Sequence, residues 1–401
     1  MVFSHGLGGS KNGYSHICGS VSSHGMVVVA PEHRDGSAPI SFVQSQDGNS
    51  KAVDYRSMPH TPSKEVEGGR NEQLKIRLWE LDLIHESILK LDRGENVSNL
   101  AAEALHDDRK TSSQGELSMF AFNLDVHDPG SISWSGHSFG AVTIYQFVKS
   151  VFYRPTASTP ASYKPLYVPS ASSSIIKQIT PSSPISLLDI WCLPLRTSQT
   201  EWLWKHPLPC YTSGGPGGSH LVAILSEAFF KWRGNLVQTK HAISADPSAE
   251  HPSSLHHSPP NIFYPVTSAH LSQSDFGVLF PWLTKKFLKA DDPARTLRLN
   301  TRAILEVSRR AGIDVADTSS ADMEDEAGLK LSIKGDRASI GQDRKILATD
   351  GGVRGWIALK LDEIDDKAGE GANTQSYKNA SPAQAVMENE VMNGSSQEVK
   401  A

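Results

Sequence analysis

The chain has 401 residues, and 39 lysines and arginines against 44 aspartates and glutamates give a net charge of −5. That near-balance excludes a strongly basic nucleic-acid binder and a polyacidic tail protein, so no nucleic-acid partner is expected. Apolar residues make up 38%, with eight tryptophans; this suffices for one sizeable core, and no run approaches the ~18 uncharged apolar residues of a membrane span.

Residues 1–10 read MVFSHGLGGS. They lack the basic start and apolar stretch of a signal peptide. Met1-Val2-Phe3 instead reads as the end of a buried strand, which leads to the expectation that the chain is N-terminally truncated and that the first strands of its sheet are missing. His5-Gly6-Leu7-Gly8-Gly9 is a Gly-rich turn. A helix is predicted over 14–23 and a fully buried strand over 27–30, so strand, turn, helix and strand suggest a parallel α/β sheet. Residues 36–66 are polar and read as a loop. Leu74, Leu78, Leu81, Ile84, Ile88 and Leu91 recur at helical spacing and predict an amphipathic helix over 71–91, its charged side a solvated face.

The next strand signal, at 131–135, runs at once into Gly136-His137-Ser138-Phe139-Gly140, with a helix from about Ala141. Residues 154–183 are rich in Ser, Pro, Thr and Ala and read as an insertion. Residues 185–190 (ISLLDI) predict a buried strand, 214–218 (GGPGG) a flexible turn, 221–232 a helix, 245–260 a Pro/Ser/His-rich loop and 262–266 a last strand. Beyond about residue 290 the pattern changes. The expected organisation is a catalytic domain over 1–290, a helical extension over 291–312 with its helix at 296–311, and a polar, weakly ordered tail over 313–401 with short structure at 353–364. Cys18, Cys192 and Cys210 form no CxxC and read as free thiols of a reducing compartment.

Gly136–Gly140 fits G-x-S-x-G. In that pattern a serine sits on a sharp strand-to-helix turn, glycines on either side allow helix and strand to approach, and the hydroxyl meets the positive end of a helix. Its weight comes from the apolar strand before it and the apolar helix after it. A serine hydroxyl needs a base and an orienting carboxylate, which in the α/β-hydrolase order follow as acid and then histidine. Asp189, at the end of ISLLDI, fits the acid; His270, after the last strand, fits the base. The oxyanion donors expected are the N–H of Phe139 and that of Leu7, in a turn like the HGGG-type loop. His251, His256 and His257 match no common zinc spacing, and no metal site is expected.

Six segments together resemble one family, the platelet-activating-factor acetylhydrolases, also called lipoprotein-associated phospholipases. They are FSHGLGG (3–9), SHGxVVxAxEHRDxSA (23–38), RNEQ (70–73), SGHSFGA (135–141), LDxWxxPL (188–195) and HxxxxDF (270–276). They occur in the family's order across about residues 1–290. The resemblance implies an α/β-hydrolase fold, with a mostly parallel central sheet flanked by helices, and a serine triad with no metal or cofactor. It implies release of a short acyl group, typically acetate, from the sn-2 position of an ether or oxidised phosphatidylcholine (a 1-alkyl-2-acetylglycerophosphocholine esterase). By position the nucleophile is Ser138, the acid Asp189 and the base His270, with Leu7 and Phe139 giving the oxyanion amides. The implied partner is a phospholipid, met at a lipid surface, with no transmembrane segment; a cytoplasmic or peripherally membrane-associated location is expected. The inserts at 154–183 and 245–260 and the polar tail look more like fungal members. Two other readings stand beside this one: a carboxylesterase or polyester hydrolase of the same fold, and an inactive lipid-binding remnant. Trp202 and Trp204, candidates for lipid contact, read as core or loop packing.

Overall fold

The structure is a computed structural model, in which residues 1–45, 49–97, 117–249, 258–318, 344–350 and 352–362 are described. Its strands are β1 (Val2–Ser4), β2 (Ile40–Gln44), β3 (Ser50–Asp54), β4 (Trp134–His137), β5 (Ile185–Leu188), β6 (Leu221–Ile224), β7 (Asn261–Pro265) and β8 (Trp356–Ala358). The longer helical segments are α1 (Ser15–Ser22), α2 (Lys64–Asp92), α3 (Phe139–Phe152), α4 (Glu227–Lys231), α5 (Arg233–Ala242), α6 (Asp275–Leu279), α7 (Pro281–Leu288) and α8 (Pro293–Arg310). Six strands form one sheet in the order β1-β4-β5-β6-β7-β8. The first five are parallel, and β8 lies antiparallel on β7. β2 and β3 form a separate antiparallel hairpin.

Side chains of a strand alternate between faces, and here both faces are covered, as parallel sheets require. Val2, Ile185, Leu187, Leu221, Ala223, Ile262 and Tyr264 join one apolar cluster with the inner faces of α2 and α3. Phe3, Leu188, Val222, Ile224 and Phe263 join the other, with Ile17 and Val21 of α1 and Leu297, Ala303, Ile304 and Val307 of α8. This is the mostly parallel, helix-flanked α/β architecture of an α/β-hydrolase. Among the described residues no helix is long and apolar enough to cross a membrane.

Several local expectations change. Residues 27–30 are not a fully buried strand: only Val29 bridges Val2, and Val27 is exposed. This segment lies at the β1 edge, beside an apolar cavity of about 320 Å³ that includes none of the expected site residues. Residues 36–66 contain the β2–β3 hairpin. Residues 221–224 are the buried strand β6 and not part of a helix, because a short apolar run suits either state and the pairing with β5 and β7 decides it. α2 begins at Lys64, capped by the Ser63 hydroxyl, which accepts from Val66 N at 3.1 Å. It runs through Gly68-Gly69, where a Cβ on Gly69 would come within 2.3 Å of Met58 Sδ.

The charged side of α2 is not simply solvated. Arg77, fully buried, donates through Nε to Asp35 Oδ2 at 2.7 Å, through Nη1 to His5 O at 2.8 Å, and through Nη2 to the Ser37 hydroxyl. Glu80 accepts from Arg34 Nε at 3.0 Å and lies 2.7 Å from His33 Nδ1. The EHRD segment is thus bound to the middle of α2 by charge. In the 154–183 stretch Leu166, Ile175 and Ile179 join the first core cluster. Trp202 stacks on Tyr163 and His206, and Trp204 on His241, which is loop packing as read. All three cysteines are free thiols. His251, His256 and His257 lie outside the described residues.

Candidate active site

β4 ends at His137 and α3 starts at Phe139, leaving Ser138 alone between strand and helix at φ 56°, ψ −118°. A non-glycine residue holds this backbone only where its surroundings force it. The glycines around it supply the force. A Cβ on Gly136 would lie 2.5 Å from Gly140 C and O, and one on Gly140 would lie 1.9 Å from Ser4 O. The turn is therefore as tight as G-x-S-x-G demands, and β1 closes over it.

Asp189 follows β5, also in the left-handed region at φ 43°, and is fully buried. Its backbone N–H continues the ladder to Ile224 O at 2.8 Å. Its Oδ1 accepts from Ser226 N at 2.5 Å, and its Oδ2 lies 2.8 Å from His270 Nδ1. His270 opens a 3₁₀ turn after β7, and its ring stacks face to face on Phe229, 4.5 Å between centroids. The structure thus brings Asp189 and His270, 81 positions apart, into contact. Burial pushes the Asp189 carboxyl up, against the pull of His137, the Ser226 N–H and hydroxyl, and Gln273; burial pushes the His270 imidazole down. The Ser138 hydroxyl makes no hydrogen bond with either residue. A nucleophile–base contact of this kind commonly closes only when substrate is bound.

The Gly-rich turn lies directly on the elbow. A Cβ on Gly6 would meet Ser138 Cβ at 3.0 Å and His137 O at 3.3 Å. The Gly6 carbonyl lies 2.9 Å from His5 Nδ1 and accepts from Gly9 N at 3.3 Å. Holding that oxygen fixes the plane of the Gly6–Leu7 peptide and hence the direction of the Leu7 N–H. Neither the Leu7 nor the Phe139 amide has an acceptor among the described residues. Beneath Phe139, the Arg77 guanidinium sits 4.6 Å from the ring centroid. Although burial opposes it, Arg77 with His33 and the Ser37 hydroxyl holds Asp35 below the usual carboxylate range.

His137, Asp189 and His270 also offer three donor atoms within 4.8 Å of one another. Two of these residues are bound to each other, and His137 Nδ1 lies 2.8 Å from the Tyr14 hydroxyl, so most of these donor atoms are engaged in hydrogen bonds. Residue types and order in the sequence point to Ser138, Asp189 and His270; they do not point to Tyr14, Ser226 or Phe229. Asp275 was visible only as part of HxxxxDF. Its carboxylate accepts from Ser15 N and His16 N at 2.7 and 2.9 Å.

Comparison with known proteins places this geometry in context. The family profile described as platelet-activating factor acetylhydrolase, isoform II, matches residues 1–324. A Schizosaccharomyces pombe protein named "Putative phospholipase A2" is 27% identical over 333 residues, 78% of this chain and 68% of that protein. The dog platelet-activating factor acetylhydrolase is 32% identical over 151 residues, 36% of this chain and 31% of the dog protein. The chicken protein of the same name is 26% identical over 260 residues, 61% of this chain and 48% of its own length. The chain therefore spans under half the length of both animal proteins.

Proposed function

The chain belongs to the platelet-activating factor acetylhydrolase family, isoform II, and on that premise we propose that it is a serine esterase hydrolysing the sn-2 acetyl or short acyl ester of phospholipids. Its catalytic residues lie within 1–290, and α8 and β8 complete the same core and sheet. His270 Nε2 takes the proton of the Ser138 hydroxyl as Oγ attacks the ester carbonyl. The tetrahedral oxyanion is met by the N–H groups of Leu7 and Phe139. The lyso-phospholipid alkoxide leaves with the proton from His270. Water, deprotonated by the same imidazole, then attacks the acyl-serine and releases the acid. Asp189 holds the imidazole tautomer and faces the charge that develops on it. No metal or redox group has a step in this scheme. The enzyme meets its lipid peripherally.

The observation that carries the reading is the 2.8 Å His270–Asp189 contact beside a serine strained to φ 56° at the start of α3. The test is hydrolysis of acetyl and long-acyl phosphatidylcholines by wild type and Ser138→Ala. A loss of about 10³-fold or more in kcat is expected for the variant, with only residual oxyanion-hole catalysis left. Acetyl lipid should be the faster substrate. Equal rates in the two proteins would remove Ser138 from the mechanism, and a preference for simple carboxyl esters over phospholipid would move the substrate class.

A further inference from the structure

Tyr14 is buried, 3% exposed, and its hydroxyl touches both halves of the site. Oη accepts from Gly6 N at 3.1 Å and lies 2.8 Å from His137 Nδ1. Gly6 opens the turn that carries Leu7, and His137 immediately precedes Ser138. The backbone of Tyr14 is anchored to the third part of the site. It directly precedes α1, whose first two amides donate to Asp275, five residues beyond His270.

Proton accounting gives the contact a direction. A phenol has one hydrogen, and here an amide already donates to its oxygen. Burial holds the phenol protonated and the His137 imidazole neutral. We assign the hydroxyl as the donor to Nδ1, which uses its one hydrogen and puts the ring proton of His137 on Nε2. Nε2 has no hydrogen-bond partner among the described residues, and the His137 ring packs 4.3 Å from that of His270. One side chain thus joins the oxyanion turn, the residue before the nucleophile and, through its backbone, the base loop.

The geometry points to Tyr14 as a positioning residue of this esterase: its hydroxyl, held between the Gly6 amide and His137, sets the Leu7 donor opposite that of Phe139 before substrate arrives. This rests on the functional reading above. Loss of the hydroxyl leaves the Gly6 amide without its acceptor, so Gly6 is held at its carbonyl alone and the Leu7 N–H is aimed less firmly. Oxyanion stabilisation then falls while ground-state binding is kept, which is a kcat effect and not a KM effect.

The experiment uses the full chain, with sites counted by fluorophosphonate titration and turnover of an acetyl ester measured per titrated site. Tyr14→Phe keeps the ring and removes only Oη. In protein whose circular dichroism matches wild type, kcat should drop about tenfold or more with KM within about twofold, less than the 10²–10³ lost with a direct oxyanion donor. An unchanged kcat per titrated site, or a loss confined to KM, overturns the proposal. If Tyr14→Phe does not fold, His137→Asn and His137→Leu carry the test. Asn keeps an acceptor for the Tyr14 hydroxyl and should retain a kcat several-fold above that of Leu; equal values overturn the proposal. A wild type that neither labels nor turns over sinks the functional reading and this inference with it, whereas an active wild type with an unaffected Tyr14→Phe sinks this inference alone.

Discussion

Ser138, at φ 56°, stores backbone strain of about 1–3 kcal/mol, and Asp189, at φ 43°, carries the same kind of cost one strand away. Both strained residues sit at the carboxyl ends of adjacent parallel strands, where the ladder from Ser138 N to Leu188 O and from Asp189 N to Ile224 O leaves the backbone no alternative. The chemistry of the site also depends on titration. In the proposed mechanism His270 acts as a base only while neutral, and burial lowers its proton affinity. The acid limb of kcat/KM is therefore expected below the ordinary imidazole value of about 6.5. A pH profile of the free enzyme checks this, and an apparent value above about 7 would mean that the paired carboxylate outweighs burial. Ser138, Asp189 and His270 stand out in the sequence as candidates because residue type and chain order restrict the choice, and the structure brings Asp189 and His270 together. Their supports were not, since Ser226, Phe229 and Tyr14 have no distinguishing spacing and contact the site only through the fold.

At the scale of elements, β1, β4 and α3 are packed to backbone contact. Gly140→Ala would force a Cβ to within 1.9 Å of Ser4 O, so β1 or α3 must move. A destabilisation of about 3 kcal/mol or more is expected in urea unfolding, at the upper end of overpacking. A near-neutral result would show that β1 yields easily. α2 is tied to the 32–37 segment by a different force. Arg77 and Asp35 are both fully buried and 2.7 Å apart. Asp35→Ala leaves an uncompensated guanidinium and should cost about 3–5 kcal/mol, whereas Asp35→Leu with Arg77→Met should recover most of that loss. Denaturation midpoints of the three proteins separate the cases. The helical period of α2 was readable, but not that Arg77 and Glu80 face inward. Periodicity sorts apolar from polar residues, and buried charges are indistinguishable from solvated ones until their partners on the 32–37 segment are in place.

For the whole molecule, buried neutral histidines set the response to acid. Burial lowers His5, His33 and His137 well below the usual value, and His60 and His85 to about 4. Between about pH 6.5 and about 4 the unfolded chain takes up protons that the folded chain refuses, so stability falls as pH falls, by up to about 1.4 kcal/mol per pH unit for each such histidine. Asp189, Glu80 and Glu32, whose proton affinity burial raises, act in the opposite sense but are fewer. Unfolding free energies at pH 7 and 5.5 test the balance; greater stability at pH 5.5 would reverse it.

The amino-acid sequence alone determined the class of fold and marked the candidates for the proposed triad, because G-x-S-x-G, a carboxylate ending an apolar strand and a histidine just after the strand at 261–265 are local patterns with local causes. Whether residues 221–224 pair as a strand, whether the EHRD segment meets α2 through charge, and how Tyr14 joins Gly6 to His137 were decided by the tertiary structure. Each depends on a contact between segments distant in the chain, and such contacts exist only once the sheet has set their register.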